Sequence, residues 1–145
     1  MADGRSSGLR GAISDPPLLA VNNLTPALRI LIVEDEAIVA MLFADLLVAM
    51  GHEVCAIEAT EAGAITAAVR CRPDLMIVDV HLLVGSGTSA VAAILRAGFV
   101  PHVFVSGDRL GEQPFGRGSV VLQKPFRESD LARAIESALA AKAGA

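Results

Sequence analysis

With 145 residues, 53% of them hydrophobic and none of them Trp or Tyr, the chain is long enough for one domain that buries roughly 70% of the surface its unfolded form would expose. A net charge of −4 excludes the clustered Lys and Arg that sequence-independent nucleic-acid binding requires, so no nucleic-acid partner is expected. No run of about 18 uncharged apolar residues offers a membrane span, and the N-terminus lacks a basic region followed by an apolar one, so the expected location is cytoplasmic.

Residues 1–27 mix Gly, Pro, Ser, Asp and Asn, which punctuate a backbone more often than they build elements. They are expected to form a weakly ordered extension whose one apolar patch, Leu18 to Val21, could dock on the domain or on a partner. From Leu28 the pattern changes to a β-type run ending at Val33, followed by Glu34, Asp35 and Glu36. Ala37 to Met50 then predicts a mostly buried helix, interrupted only by Asp45 and stopped by Gly51. His52 to Ile57 predicts a short second strand, and Thr60 can cap a helix to about Cys71, which Pro73 ends.

The run from Asp74 to Asp79 is too short for a stable buried helix and is rich in Ile and Val, as in a strand covered on both faces. It ends on a carboxylate, which costs free energy to bury unless a cation or donors meet it. Gly85 and Gly87 mark a loop, Thr88 or Ser89 opens a helix to about Ala97, and Gly98 ends it. His102 to Ser106 predicts strand four and Val120 to Lys124 strand five. Gly107 to Ser119 between them is so rich in Gly that any helix there is one or two turns. A last helix begins at Glu128 or Ser129, with Leu131, Ala134, Ile135, Ala138 and Leu139 on one face. The domain is thus expected over 28–141, with 142–145 as a tail and no output module after it. Cys55 and Cys71 lack a CxxC spacing and read as two buried thiols in a reducing compartment.

Five strands alternating with helices predict an α/β fold with a parallel sheet whose functional crevice lies at the C-terminal strand ends. Those ends carry Glu34 and Asp35, Asp79, Ser106, and Lys124 before Pro125. Clustered carboxylates repel unless a hard cation sits among them, and an all-oxygen set suits Mg²⁺. The cation and Lys124 would neutralise a phosphoryl group, Ser106 would donate to it, and Asp79 would be the in-line nucleophile.

The order Glu-Asp, Asp, Ser, Lys-Pro-Phe after strands one, three, four and five resembles the receiver domains of two-component response regulators. The likeness covers about residues 28 to 141. It implies a flavodoxin-like, doubly wound sheet in the order 2-1-3-4-5, with a shortened or irregular helix between strands four and five. It further implies Asp79 as phosphoacceptor, Asp35 and Asp79 as direct ligands of Mg²⁺ or Mn²⁺, Glu34 acting through water, and the Val80 carbonyl completing the set. Lys124 would pair with the phosphoryl group, Ser106 would move toward it, and the Lys124-Pro125 bond would be cis.

Two departures stand out. Where the family usually has an aromatic residue three positions before the Lys, this chain has Val121, so the usual readout is in doubt. Phe104-Val105-Ser106-Gly107 resembles a subgroup of stand-alone receivers with a Phe-Ala-Thr-Gly-Tyr motif, known from alphaproteobacterial general stress signalling, but Asp108 holds the motif's last position. His81 and Asp108 each follow a site residue by two, close to where water would attack the phosphoryl group, and as a pair could tune its lifetime.

The implied function is that of a single-domain response regulator, a phosphoacceptor and not an enzyme acting on other substrates. Its phosphoryl group would come from a histidine kinase or a His phosphotransfer protein, and its state would be read by a downstream protein. The chain itself would be a monomer or weak homodimer. The alternatives are a phosphorylation-independent adaptor and, with His81 where a second acid would be needed, an aspartyl-nucleophile hydrolase.

Overall fold

The computed structural model describes residues 26–107 and 115–144; the expectations placed on residues 1–25 and on Asp108 lie outside the described residues. Strands β1 (Arg29–Val33), β2 (Glu53–Glu58), β3 (Leu75–Asp79), β4 (His102–Ser106) and β5 (Val120–Gln123) alternate with helices α1 (Ala37–Ala49), α2 (Glu61–Cys71), α3 (Gly87–Leu95) and α4 (Glu128–Gly144). The strands form one parallel sheet in the order β2-β1-β3-β4-β5, as the sequence implied. Between β4 and β5 no helix stands among the described residues, and α4 continues to Gly144.

Alternation along the strands divides the core in two. Ile30, Ile32, Ile77, Val103 and Val105 face α1 and α4, whereas Leu31, Val33, Met76, Val78 and Phe104 face α2 and α3. β1, β3 and β4 therefore bury both sides, which explains runs of apolar residues without alternation.

Local chemistry sets the helix ends. α1 stops where Gly51 takes φ +97, with Gly51 N–H donating to the Val48 carbonyl and His52 N–H to the Leu47 carbonyl, the pair of bonds of a Schellman motif. The Thr60 hydroxyl accepts the Gly63 N–H at 3.0 Å and caps α2. α3 starts at Gly87, one or two residues earlier than Thr88 or Ser89, because Ser86 is the cap, accepting the Ser89 N–H at 3.0 Å. A Cβ at Gly87 would collide with the Asp79 carbonyl, so only glycine lets α3 begin this close to β3.

The expectation of a mostly buried α1 is not met. Ala40, Phe43 and Leu47 are buried, but Ile38, Met41, Leu42 and Val48 are 74%, 61%, 59% and 59% exposed. A helix apolar all round carries no sign of which stripe meets the sheet. Cys55 and Cys71 meet: the Cys71 thiol donates to the Cys55 carbonyl at 3.4 Å, and burial, with the neighbouring thiol, pushes Cys55 up to about 11. Among the described residues no helix is long and apolar enough to cross a membrane.

Candidate functional site

β1 and β3 are neighbours whose connections leave toward opposite sides of the sheet, so a crevice opens at their C-terminal ends. Glu34 and Asp35 extend from β1, Asp79 ends β3, and carboxylate oxygens of all three lie within 4.8 Å of one another. Lys124, following β5, places its ammonium 4.0 Å from Asp79 Oδ2. Ser106 ends β4, is buried, and its carbonyl accepts the Lys124 N–H at 2.8 Å, which fixes Lys124 to the same strand end. The Lys124-Pro125 bond is cis.

Backbone donors orient the acids. Asp79 Oδ1 accepts the His81 N–H at 3.0 Å, Asp35 Oδ2 the Leu83 N–H at 2.6 Å, and Glu34 Oε2 the Glu36 N–H at 3.1 Å. The loop that supplies two of these donors is braced from α2, because Glu61 accepts the Ser86 N–H at 3.0 Å and its own N–H donates to the Val84 carbonyl. Leu83 leaves no signal in the sequence, since a backbone donor leaves no mark on residue type, and Glu61, a side-chain acceptor, reads as an ordinary first-turn helix acid.

Glu34 is the anomaly. It is 3% exposed, and its Oε1 is buried without a hydrogen-bond partner. Burial is the main cause that pushes its pKa up to about 7, with the Asp79 carboxylate, its charge and a proton it can share, acting the same way against the Glu36 N–H and Lys124. A buried oxygen without a donor, inside a cluster of three carboxylates, is a site that a hard divalent cation fits: the ion satisfies the oxygen and offsets the repulsion. The depression above the acids, about 340 Å³, is lined by Asp35, Asp79, His81, Leu83, Gly107 and Lys124 and opens to solvent. The Val80 carbonyl, expected among the ligands, accepts the Gly87 N–H of α3 at 3.0 Å.

No protein-family model matches the chain. It is 34% identical over 119 residues to the phyllosphere-induced regulator PhyR of Methylorubrum extorquens, covering 78% of this chain and 44% of that protein. The solution structure of the receiver domain of the Erythrobacter litoralis PhyR response regulator superposes with a TM-score of 0.70 at 32% identity, covering 80% of this chain and 92% of that one. The chain belongs to the receiver domains of response regulators. This receiver domain is also similar to SdrG from Sphingomonas melonis Fr1, with 34% identity, a TM-score of 0.67, and coverage of 78% of this chain and 97% of SdrG. It spans about half the length of the curated relatives it matches.

Proposed function

We propose that this receiver domain takes a phosphoryl group onto Asp79 from a phosphohistidine, carried by a histidine kinase or a His phosphotransfer protein, and signals through another protein. The observation that carries the proposal is the meeting of three carboxylates within 4.8 Å with the Lys124 ammonium 4.0 Å from Asp79, in one open depression. A carboxylate oxygen of Asp79 attacks phosphorus, the P–N bond breaks, its electron pair returns to the imidazole, and an acyl phosphate remains. Lys124 and the Ser106 hydroxyl supply positive charge and a donor to the transferred oxygens. Glu34, Asp35 and Asp79 would hold Mg²⁺ or Mn²⁺, whose charge would neutralise the phosphoryl oxygens when bound. Such catalysis acts on the domain's own phosphoryl group and makes it a signalling protein.

The surface beside the site supports a protein partner. Ile38, Met41 and Leu42 form an exposed apolar stripe on α1, and a groove of about 500 Å³ between α1 and Phe126 reaches Lys124. Incubation with acetyl phosphate and Mg²⁺ should add one phosphoryl group per chain by intact mass, and none to Asp79→Asn. Equal labelling of Asp79→Asn would sink the assignment. His81, at the rim of the depression, is proposed to tune the lifetime of the acyl phosphate, and an unchanged decay rate in His81→Ala would remove that role.

The α1 stripe also favours a second reading, an adaptor that binds its partner whatever the state of Asp79. Partner capture indifferent to Asp79→Ala would select it.

A further inference from the structure

Over β4, on the side of the sheet that carries α2 and α3, aromatic rings form part of the cover. His102, Phe104 and Ser106 alternate onto the side that carries α2 and α3, while Val103 and Val105 face the other core. Phe104 meets His102 edge-on with ring centroids 5.3 Å apart, and Phe99 stands 5.7 Å from His102. The outermost ring is Phe115, 5.0 Å from Phe104 and half-buried.

The segment that brings Phe115 to β4 is held at its far end. The Ser119 hydroxyl lies 2.8 Å from His102 Nε2, and Gly118, at φ +81, passes so close to Phe99 that a Cβ there would stand 3.1 Å from the ring. Toward Phe115, the carbonyl of exposed Gly116 accepts the Ser119 N–H at 3.1 Å and closes a turn. In register, Phe104 stands opposite Val121 and Ser106 opposite Gln123. Ser106, at the acid site, and Phe104, under the Phe115 ring, are therefore consecutive side chains on one face of one strand, roughly 7 Å apart. Val121 beside them is β-branched, with one preferred rotamer and no ring to move.

We propose that Phe115 reports the state of Asp79: when Ser106 turns toward a phosphoryl oxygen, the packing of Phe104 changes and the Phe115 ring changes its seat. The inference rests on Asp79 being the phosphoacceptor. It assigns the readout to a ring supplied by the connection between β4 and β5, where the strand itself offers only Val121. Two discrete seats for one ring, on Phe104 or off it, are the kind of bistable element that a small displacement at a site can bias.

The chain has no Trp or Tyr, so Phe115→Trp in the full 145-residue protein is its sole indole emitter. Beryllofluoride with Mg²⁺ should shift the emission of Phe115→Trp, and the same addition should leave Phe115→Trp/Asp79→Asn unchanged. Because the variant itself could alter packing, the aromatic resonances of Phe115 in the unsubstituted protein are followed in parallel and should move on the same addition. Phosphoryl incorporation from acetyl phosphate is measured by mass on both proteins. Labelling of Asp79 with static emission and static Phe115 resonances overturns the inference and leaves the phosphoacceptor reading intact. An emission shift that persists with Asp79→Asn also overturns it. Absence of any labelling at Asp79 takes down both.

Discussion

The two ends of the sheet treat buried polar groups in opposite ways. At the N-terminal end of the strands, His52 Nδ1 accepts the Leu28 N–H at 3.2 Å, and His102 uses both ring nitrogens, at 2.8 Å from the Val100 carbonyl and 2.8 Å from the Ser119 hydroxyl. At the C-terminal end, Glu34 is equally buried yet keeps one oxygen without a partner. The base is closed by hydrogen bonds internal to the fold, whereas the site end holds a deficit that a proton or a bound cation can make good. Their pH responses differ in sign as well, because burial lowers the pKa of both histidines and raises that of Glu34.

The largest effect should come from removing the deficit. A carboxyl raised from 4.5 to about 7 by folding binds more protons folded than unfolded, so stability falls as pH rises through that window, by on the order of 3 kcal/mol. In the absence of divalent cations, Glu34→Gln should therefore stabilise the domain at pH 8 and leave it little changed at pH 4, as read by urea unfolding at both pH values. Mg²⁺ should stabilise the unsubstituted protein more at pH 8 than at pH 5.5, and should stabilise Glu34→Gln less than either. A Glu34→Gln protein that is less stable at pH 8 without cations would show that Glu34 is satisfied by the fold, and the contrast between the ends would collapse.

At the base the same kind of change should act in reverse. His102→Leu removes the partner of the Ser119 hydroxyl and should lower stability by about 2 kcal/mol at pH 8, cation or none. Since the folded pKa of His102 lies below 6.5, its contribution is present above that pH and is lost as the pH falls below it. The loss caused by His102→Leu should accordingly shrink in acid, with His52 keeping its own share of the acid sensitivity. Equal losses at pH 8 and pH 5 would contradict the neutral, doubly bonded imidazole.

What the sequence could show follows the same division. The strands were legible because β1, β3 and β4 are apolar through their interiors, and the acids were legible because carboxylates at the ends of such strands are rare without a purpose. α1 misled for a related reason: Ile38, Met41 and Leu42 are as apolar as Phe43 and Leu47, and only packing distinguishes the solvent stripe from the core stripe. Ser86 was overlooked as the α3 cap because Thr88 and Ser89 are capping residues too. The choice is made by Gly87, the residue that can sit against the Asp79 carbonyl. The donors from His81 and Leu83 are backbone groups, so no residue type announces them.

The smallest effect tests whether the two ends are separable at all. Thr60 caps α2 at the C-terminal end of β2, yet its hydroxyl bond to Gly63 N–H is an ordinary stabilising contact of the kind found at the base. It also forms an isolated bridge to Val84, one residue beyond the Leu83 N–H that holds Asp35. Thr60→Ala deletes the cap but keeps the backbone bridge, so the expected result is a loss of about 1 kcal/mol in urea unfolding. Mg²⁺ affinity, measured by calorimetric titration at pH 8, should stay unchanged. Should the affinity fall along with the stability, the cap would belong to the acid site through the loop at Val84, and the C-terminal end would have to be treated as one cooperative unit. An unchanged affinity instead confines the site's dependence to the bonds that reach its carboxylates directly, from His81, Leu83 and Glu36.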